Sequence, residues 1–277
     1  AGLTAAYALD VDTFGPEYNI DYSGGWGTGI EQYGRLHTPA GYDPVANPAK
    51  TYPLIVFFHG IGELHNREIA AGSPGNTWQV VQANNITDLF NHTKNTAFIY
   101  APQADNAWND DTLANVTAGI AKIMNEYKIA RDQVYVTGLS LGGGACWTAM
   151  MKYPVFAAGI PICGVEPNAG SDPAVLAGMP IWAFHNIKDP TVHVNNTRAR
   201  INEIRAAQGL SAVTFPVTTT GVYTDGSKWF QDAEHPELQY SECSGSTHGV
   251  WYRAYSDNEA GRAGMLSPPS HREYPIH

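Results

Sequence analysis

Gly138-Leu139-Ser140-Leu141-Gly142 lies between an apolar run, Val134-Tyr135-Val136, and a helix-like run that begins at Gly143. A Gly-x-Ser-x-Gly pattern at such a junction predicts a sharp strand-to-helix turn with the serine strained at its tip. Glycine on either side removes the Cβ atoms that would clash there, and Gly143, Gly144 and Ala145 extend the small surface on which a helix approaches a sheet. A turn of this kind needs a strand before it and a helix after it. It therefore constrains the architecture well beyond its five residues.

The rest of the chain carries the same alternation. Leu54–Phe58, Ala97–Tyr100, Val134–Val136 and Ile181–Phe184 are short, continuous and apolar, as expected of parallel strands covered on both faces. Leu113–Tyr127 and Arg198–Gln208 are helical stretches between them, and Tyr33–Thr38 reads as an edge strand leading into a turn-rich loop. The expected class is α/β: a mostly parallel central sheet with helices on both faces. The 277 residues fit one domain, 1–277, with the long Gly- and Asn-rich connection from Gly60 to Asn95 and an irregular tail over about 258–277.

Charge narrows the range of partners. Sixteen Lys and Arg against 26 Asp and Glu leave a formal net charge of −10, which offers no footprint for nucleic acid or for an anionic membrane. No apolar stretch is long enough to span a bilayer. A chain starting at Ala1 without Met is what a processed secreted or periplasmic protein would show, so that location is expected. Cys146, Cys163 and Cys243 allow at most one internal disulfide, and Asn85, Asn91, Asn115 and Asn195 head glycosylation sequons.

A serine hydroxyl needs a base to take its proton, and the base needs an acid to hold its tautomer. In a strand-turn-helix serine site the chain order is serine, acid, histidine. Asp189 follows the Ile181–Phe184 run by a few residues, where a strand-end loop presents an acid; His248 follows a candidate last strand, Leu238–Ser241. His235 is the reserve base. The expected oxyanion donors are the backbone N–H groups of Leu141, directly after the serine, and of Ile61, in the loop His59-Gly60-Ile61-Gly62 after an early strand. His59 and Glu63 are read as shaping that loop. Neither a metal nor a cofactor is expected, since the histidines lack His-Glu-x-x-His spacing and the cysteines are not closely paired.

Together these residues resemble the α/β-hydrolase carboxylesterases of the so-called predicted-peptidase or phospholipase/carboxylesterase family, related to feruloyl and acetylxylan esterases and polyhydroxybutyrate depolymerases. The resemblance rests on Tyr52–Glu63, the Ser140 turn, Ala158–Gly164, Pro180–His185 running to Asp189, and Thr247–Trp251, within roughly Tyr33 to Tyr255. It implies an α/β-hydrolase fold, Ser140, Asp189 and His248 as a catalytic triad, and Ile61 and Leu141 as the oxyanion hole. Two positions depart from the pattern. Asn186 stands where members usually carry Gly, a place where Asn's tolerance of left-handed backbone is expected to preserve the turn, and Leu64-His65-Asn66-Arg67 replaces the usual Arg-Gly after Glu63.

The expected activity is ester hydrolysis through an acyl-serine, on acetyl or feruloyl esters of carbohydrate or on aliphatic polyester. Peptide cleavage by the same groups, transfer to an acceptor other than water, and a non-catalytic binding protein are the alternatives. Trp78, Trp108 and Trp251 are candidate substrate contacts, because exposed tryptophans suit a sugar face or an aromatic acyl group, whereas Trp147 and Trp182 are read as core.

Overall fold

The computed structural model describes residues 34–64, 84–216, 221–222 and 226–255, and the statements of structure below refer to these. The strands are β1 (Gly34–His37), β2 (Tyr52–Phe58), β3 (Phe98–Pro102), β4 (Ile129–Leu139), β5 (Ala158–Ile162), β6 (Ile181–Asn186), β7 (Gly221–Val222), β8 (Lys228–Gln231) and β9 (Leu238–Cys243). They form one sheet in the order β1-β3-β2-β4-β5-β6-β9-β8-β7. The six central strands, from β3 to β9, run parallel, while β1 and the β8–β7 pair join antiparallel at the two edges. The expected mostly parallel sheet is present, with the edge strand near Tyr33–Thr38 as β1.

Why the central strands read as unbroken apolar runs is visible in the packing. Leu54, Val56 and Phe58 face one core and Ile55 and Phe57 the other, so no residue of the run points to water. Burying a side chain of this size contributes roughly 1.5–3 kcal/mol. Helices α2 (Asp110–Glu126), α3 (Leu141–Lys152) and α4 (Asn195–Ala207) cover the first face through residues such as Ile120, Trp147 and Ile201. On the other face lie α1 (Asn84–Thr93) and the short α5 (Trp251–Ala254), through Leu89, Phe90 and Ala254. Trp182 is core as expected, stacked on Phe184.

Several elements differ from the sequence expectation, α4 among them, which begins at Asn195 and not at Arg198. The supposed connection from Gly60 to Asn95 contains α1, whose Ile86, Leu89 and Phe90 occur at the i, i+3, i+4 spacing of one helical face, a short signal within Asn-rich surroundings. Helix α2 begins three residues before the expected Leu113, because the Asn109 side chain caps it by accepting from the Thr112 N–H at 2.9 Å. The tail from about 258 lies outside the described residues.

Candidate active site

Strand β4 ends at Leu139 and α3 begins at Leu141, leaving Ser140 alone at the junction with φ 61° and ψ −117°. A non-glycine residue there costs about 1–3 kcal/mol and persists only where its surroundings over-determine it. They do so here. The Ser140 N–H donates to the Ile162 carbonyl at 2.9 Å, and the Ser140 carbonyl accepts from Gly144 at 3.0 Å and Val165 at 3.1 Å. A Cβ on Gly142 would overlap the carbonyls of Phe58 and His59, so only glycine lets α3 come this close to β2. The N–H of Leu141, first in α3, has no partner within the helix and lies at its positive end.

The loop after β2 meets the serine from the other side. Gly60 sits against Ser140, and Ile61, which follows it, is 68% exposed. His59 is fully buried: its Nδ1 donates to the Gly60 carbonyl at 2.7 Å and its Nε2 accepts from the Ala104 N–H at 2.9 Å. Burial pulls the imidazole down to about 4, so it is neutral and structural, as expected of a loop-shaping residue. Burial likewise raises Glu63, although the N–H groups of Glu63 and Gly60 partly offset this, which places its carboxylate on the loop it was expected to orient.

Asp189 and His248, 59 residues apart, are brought into contact. Asp189 follows β6, and its Oδ1 accepts from the N–H groups of Thr191 at 2.8 Å and Val192 at 3.0 Å. Its Oδ2 accepts from His248 Nδ1 at 2.7 Å. Burial opposes ionisation, but the bonds from His248, Val192 and Thr191 outweigh it and hold the carboxyl below its ordinary range. With Nδ1 committed, His248 presents Nε2, which is buried and has no hydrogen-bond partner among the described residues. Ser140, Asp189 and His248 follow β4, β6 and β9, parallel strands of one sheet, so all three stand at the same, carboxyl end. His235 precedes β9 and lies at the opposite end, where its N–H bonds to Asp232.

The structure separates the three tryptophans. Trp78 lies outside the described residues. Trp108 is buried, not an exposed platform: its indole packs on Phe58 and His59, and its Nε1 donates to the His59 carbonyl at 3.0 Å, so it braces the Ile61 loop. One side of it also lines a crevice of about 120 Å³ beside Leu141, Gly144 and Val165. Trp251 is half-buried, its ring against the Gly249 backbone and its indole bonded to Asp88 of α1, next to the His248 loop.

Sequence reasoning missed the support around Asp189. His185 of β6 lies with Nε2 3.6 Å from Asp189 Oδ2; the same nitrogen donates to the Val192 carbonyl at 2.9 Å, while Nδ1 accepts from the Thr197 hydroxyl at 2.8 Å. Burial keeps it neutral. Cys163, strained at φ 45°, brings its sulfur into the same cluster, where the ligand atoms of Cys163, His185 and Asp189 lie within 4.8 Å of one another. Both His185 nitrogens and both Asp189 oxygens already have partners, which makes the cluster a hydrogen-bonded buttress. All three cysteines are free and buried. Asn186 does not use a left-handed backbone as its sequence position led us to expect; among the described non-glycine residues only Ser140 and Cys163 have positive φ.

No family model and no curated protein matches the chain. Solved structures do. A thermostable esterase aligns with a TM-score of 0.66 at 25% identity, over 91% of this chain and 62% of that one, so the chain spans less than two thirds of its length. An acetyl xylan esterase from Aspergillus awamori aligns with a TM-score of 0.58 at 13% identity, over 85% of this chain and 95% of that one. With its parallel sheet, its strained serine after β4 and its acid and histidine after later strands, the chain has the α/β-hydrolase fold, in the form that solved esterases take.

Proposed function

We propose that this chain is a serine carboxylesterase working through an acyl-serine, with Ser140 as nucleophile, His248 as base and Asp189 as the acid that orients it. One observation carries this: the Asp189–His248 hydrogen bond of 2.7 Å, which leaves a buried, partnerless Nε2 at the end of the sheet where Ser140 stands. Ser140 Oγ attacks the ester carbonyl and its proton passes to His248 Nε2. The N–H groups of Leu141 and Ile61 donate to the oxyanion, a contribution of roughly a hundredfold or more for each donor. His248 then protonates the departing alcohol, and water, activated by the same nitrogen, releases the acid. Acetyl or feruloyl esters of carbohydrate and aliphatic polyester are the substrate classes of this proposal. An extracellular or periplasmic location belongs to the same proposal.

Fluorophosphonate should label Ser140 alone, and Ser140→Ala should lose both label and esterase activity while melting near the parent temperature. A label elsewhere, or an active mutant, removes the assignment. At least one of p-nitrophenyl esters of graded length, acetylated xylan, methyl ferulate and a polyester film should be hydrolysed by the parent and not by Ser140→Ala. EDTA should change none of these rates.

A further inference from the structure

We infer that Asn186 is a positioning residue for His248, a role that rests on the proposed function and that nothing in the Gly-bearing family pattern supplies. Asn186 is the last residue of β6 and is fully buried. Its Nδ2 donates to the Thr247 carbonyl at 2.8 Å and reaches the Gly249 carbonyl at 3.3 Å, with the Thr247 hydroxyl at 3.4 Å. The two carbonyls flank His248 on either side. A planar amide with two N–H donors thus spans the base, whereas a glycine at this position has no side chain with which to reach the loop.

The backbone of the same residue holds the acid, because the Asn186 carbonyl accepts from the Asp189 N–H at 3.2 Å. One residue therefore registers the Asp189 turn against the His248 loop, and the 2.7 Å bond between acid and base spans two segments pinned to a common point. Residues 244–250 form neither helix nor strand, so side-chain ties take the place of a regular ladder. The fit is close on the far side as well. A Cβ on Gly245 would come within 2.6 Å of Asn186 Oδ1, and that oxygen is buried without a partner among the described residues. The site accommodates the amide for its donor half. Since displacement of a catalytic group by about 1 Å can cost roughly a hundredfold in rate, a clamp on both sides of the base bears directly on turnover.

The test is the series Asn186→Ser, Asn186→Gly and Asn186→Asp, each accepted only if circular dichroism and melting show a folded protein. Ser keeps one donor, Gly none, and Asp keeps the shape but turns carboxylate oxygens toward the two carbonyls. Per active site titrated with fluorophosphonate, kcat should fall in the order Asn, Ser, Gly, Asp, with Gly about tenfold or more below the parent. KM should stay within about twofold, because Asn186 acts on the base and not on ground-state binding. A second readout does not depend on activity: the downfield Nδ1–H resonance of His248 should persist in Ser140→Ala and broaden or exchange faster in Asn186→Gly and Asn186→Asp. A folded Asn186→Gly or Asn186→Asp protein with the parent's resonance and kcat overturns the inference. If the parent is neither labelled nor active, the proposed function fails, and the resonance still decides whether Asn186 holds His248.

Discussion

Asp189 accepts two backbone N–H bonds and one imidazole N–H with His185 close behind, so its charge is stabilised from three directions while its solvent contact is slight. Its value lies in the tautomer it imposes on His248. Asp189→Asn preserves the size but offers its amide to Nδ1, which favours the wrong tautomer, and the expected loss is on the order of 10⁴ in kcat, the magnitude seen when a triad aspartate is changed in this way. Steady-state kinetics with p-nitrophenyl acetate checks it; a mutant retaining most of its activity would move the acid's role elsewhere. Chain order and local pattern pointed to Ser140, Asp189 and His248, and the structure brings the last two into contact. His185 and Cys163 were not legible in the same way, because an apolar strand reads the same whether its histidine is a packed ring or a partner of an acid four residues on.

At the level of elements, the serine turn depends on how closely α3 crosses β2. Gly142→Ala would push a methyl group into the Phe58 and His59 carbonyls, both backbone atoms with little freedom to yield. Overpacking of this kind costs about 1–3 kcal/mol, and here the strain falls on the His59–Ile61 loop proposed to donate to the oxyanion as well, so both the urea midpoint and kcat should drop. The bracing of that loop by Trp108 can be tested separately. Trp108→Phe keeps one aromatic ring but loses the bond to the His59 carbonyl, so kcat should fall several-fold and stability by about 1–3 kcal/mol. An unchanged kcat would show that the Ile61 loop holds its shape without the indole. Trp108 was expected at the mouth of the site because its loop follows a strand; the ring instead turned inward toward Phe58, a choice made by core volume, which local sequence does not display.

For the whole molecule, the buried neutral histidines give stability a pH dependence of known sign. His59 takes up a proton at about 4 when folded and at the ordinary 6.5 when unfolded. Between those values the unfolded chain binds the extra proton, so stability is full above about 6.5 and is lost as pH falls toward 4, by on the order of 3 kcal/mol. His185 acts in the same direction. Asp189, held below its ordinary range, adds a loss at still lower pH. Urea melts from pH 7.5 to 4 should show this fall, and His59→Gln should flatten the slope whatever it does to the absolute stability. A slope equal to the parent's would mean that other groups govern acid unfolding.

What the chain determined by itself was whatever depends on neighbours in sequence: the apolar runs that become β2, β3, β4 and β6, the glycines around Ser140, and the order of serine, acid and histidine. Backbone sterics and side-chain periodicity act over a few residues, and those signals survive without any tertiary contact. The elements with weak local signals, α1 and the β8–β7 edge, emerged only when the sheet offered them a surface. The same is true of the contacts that complete the site. Asn186 pairs with Cys243 across β6 and β9, and that register carries Thr247 and Gly249, some sixty residues away in the chain, onto its amide. A position whose sequence context pointed to backbone freedom thus became a side-chain clamp, because only the packed sheet decides which distant carbonyls a buried donor will meet.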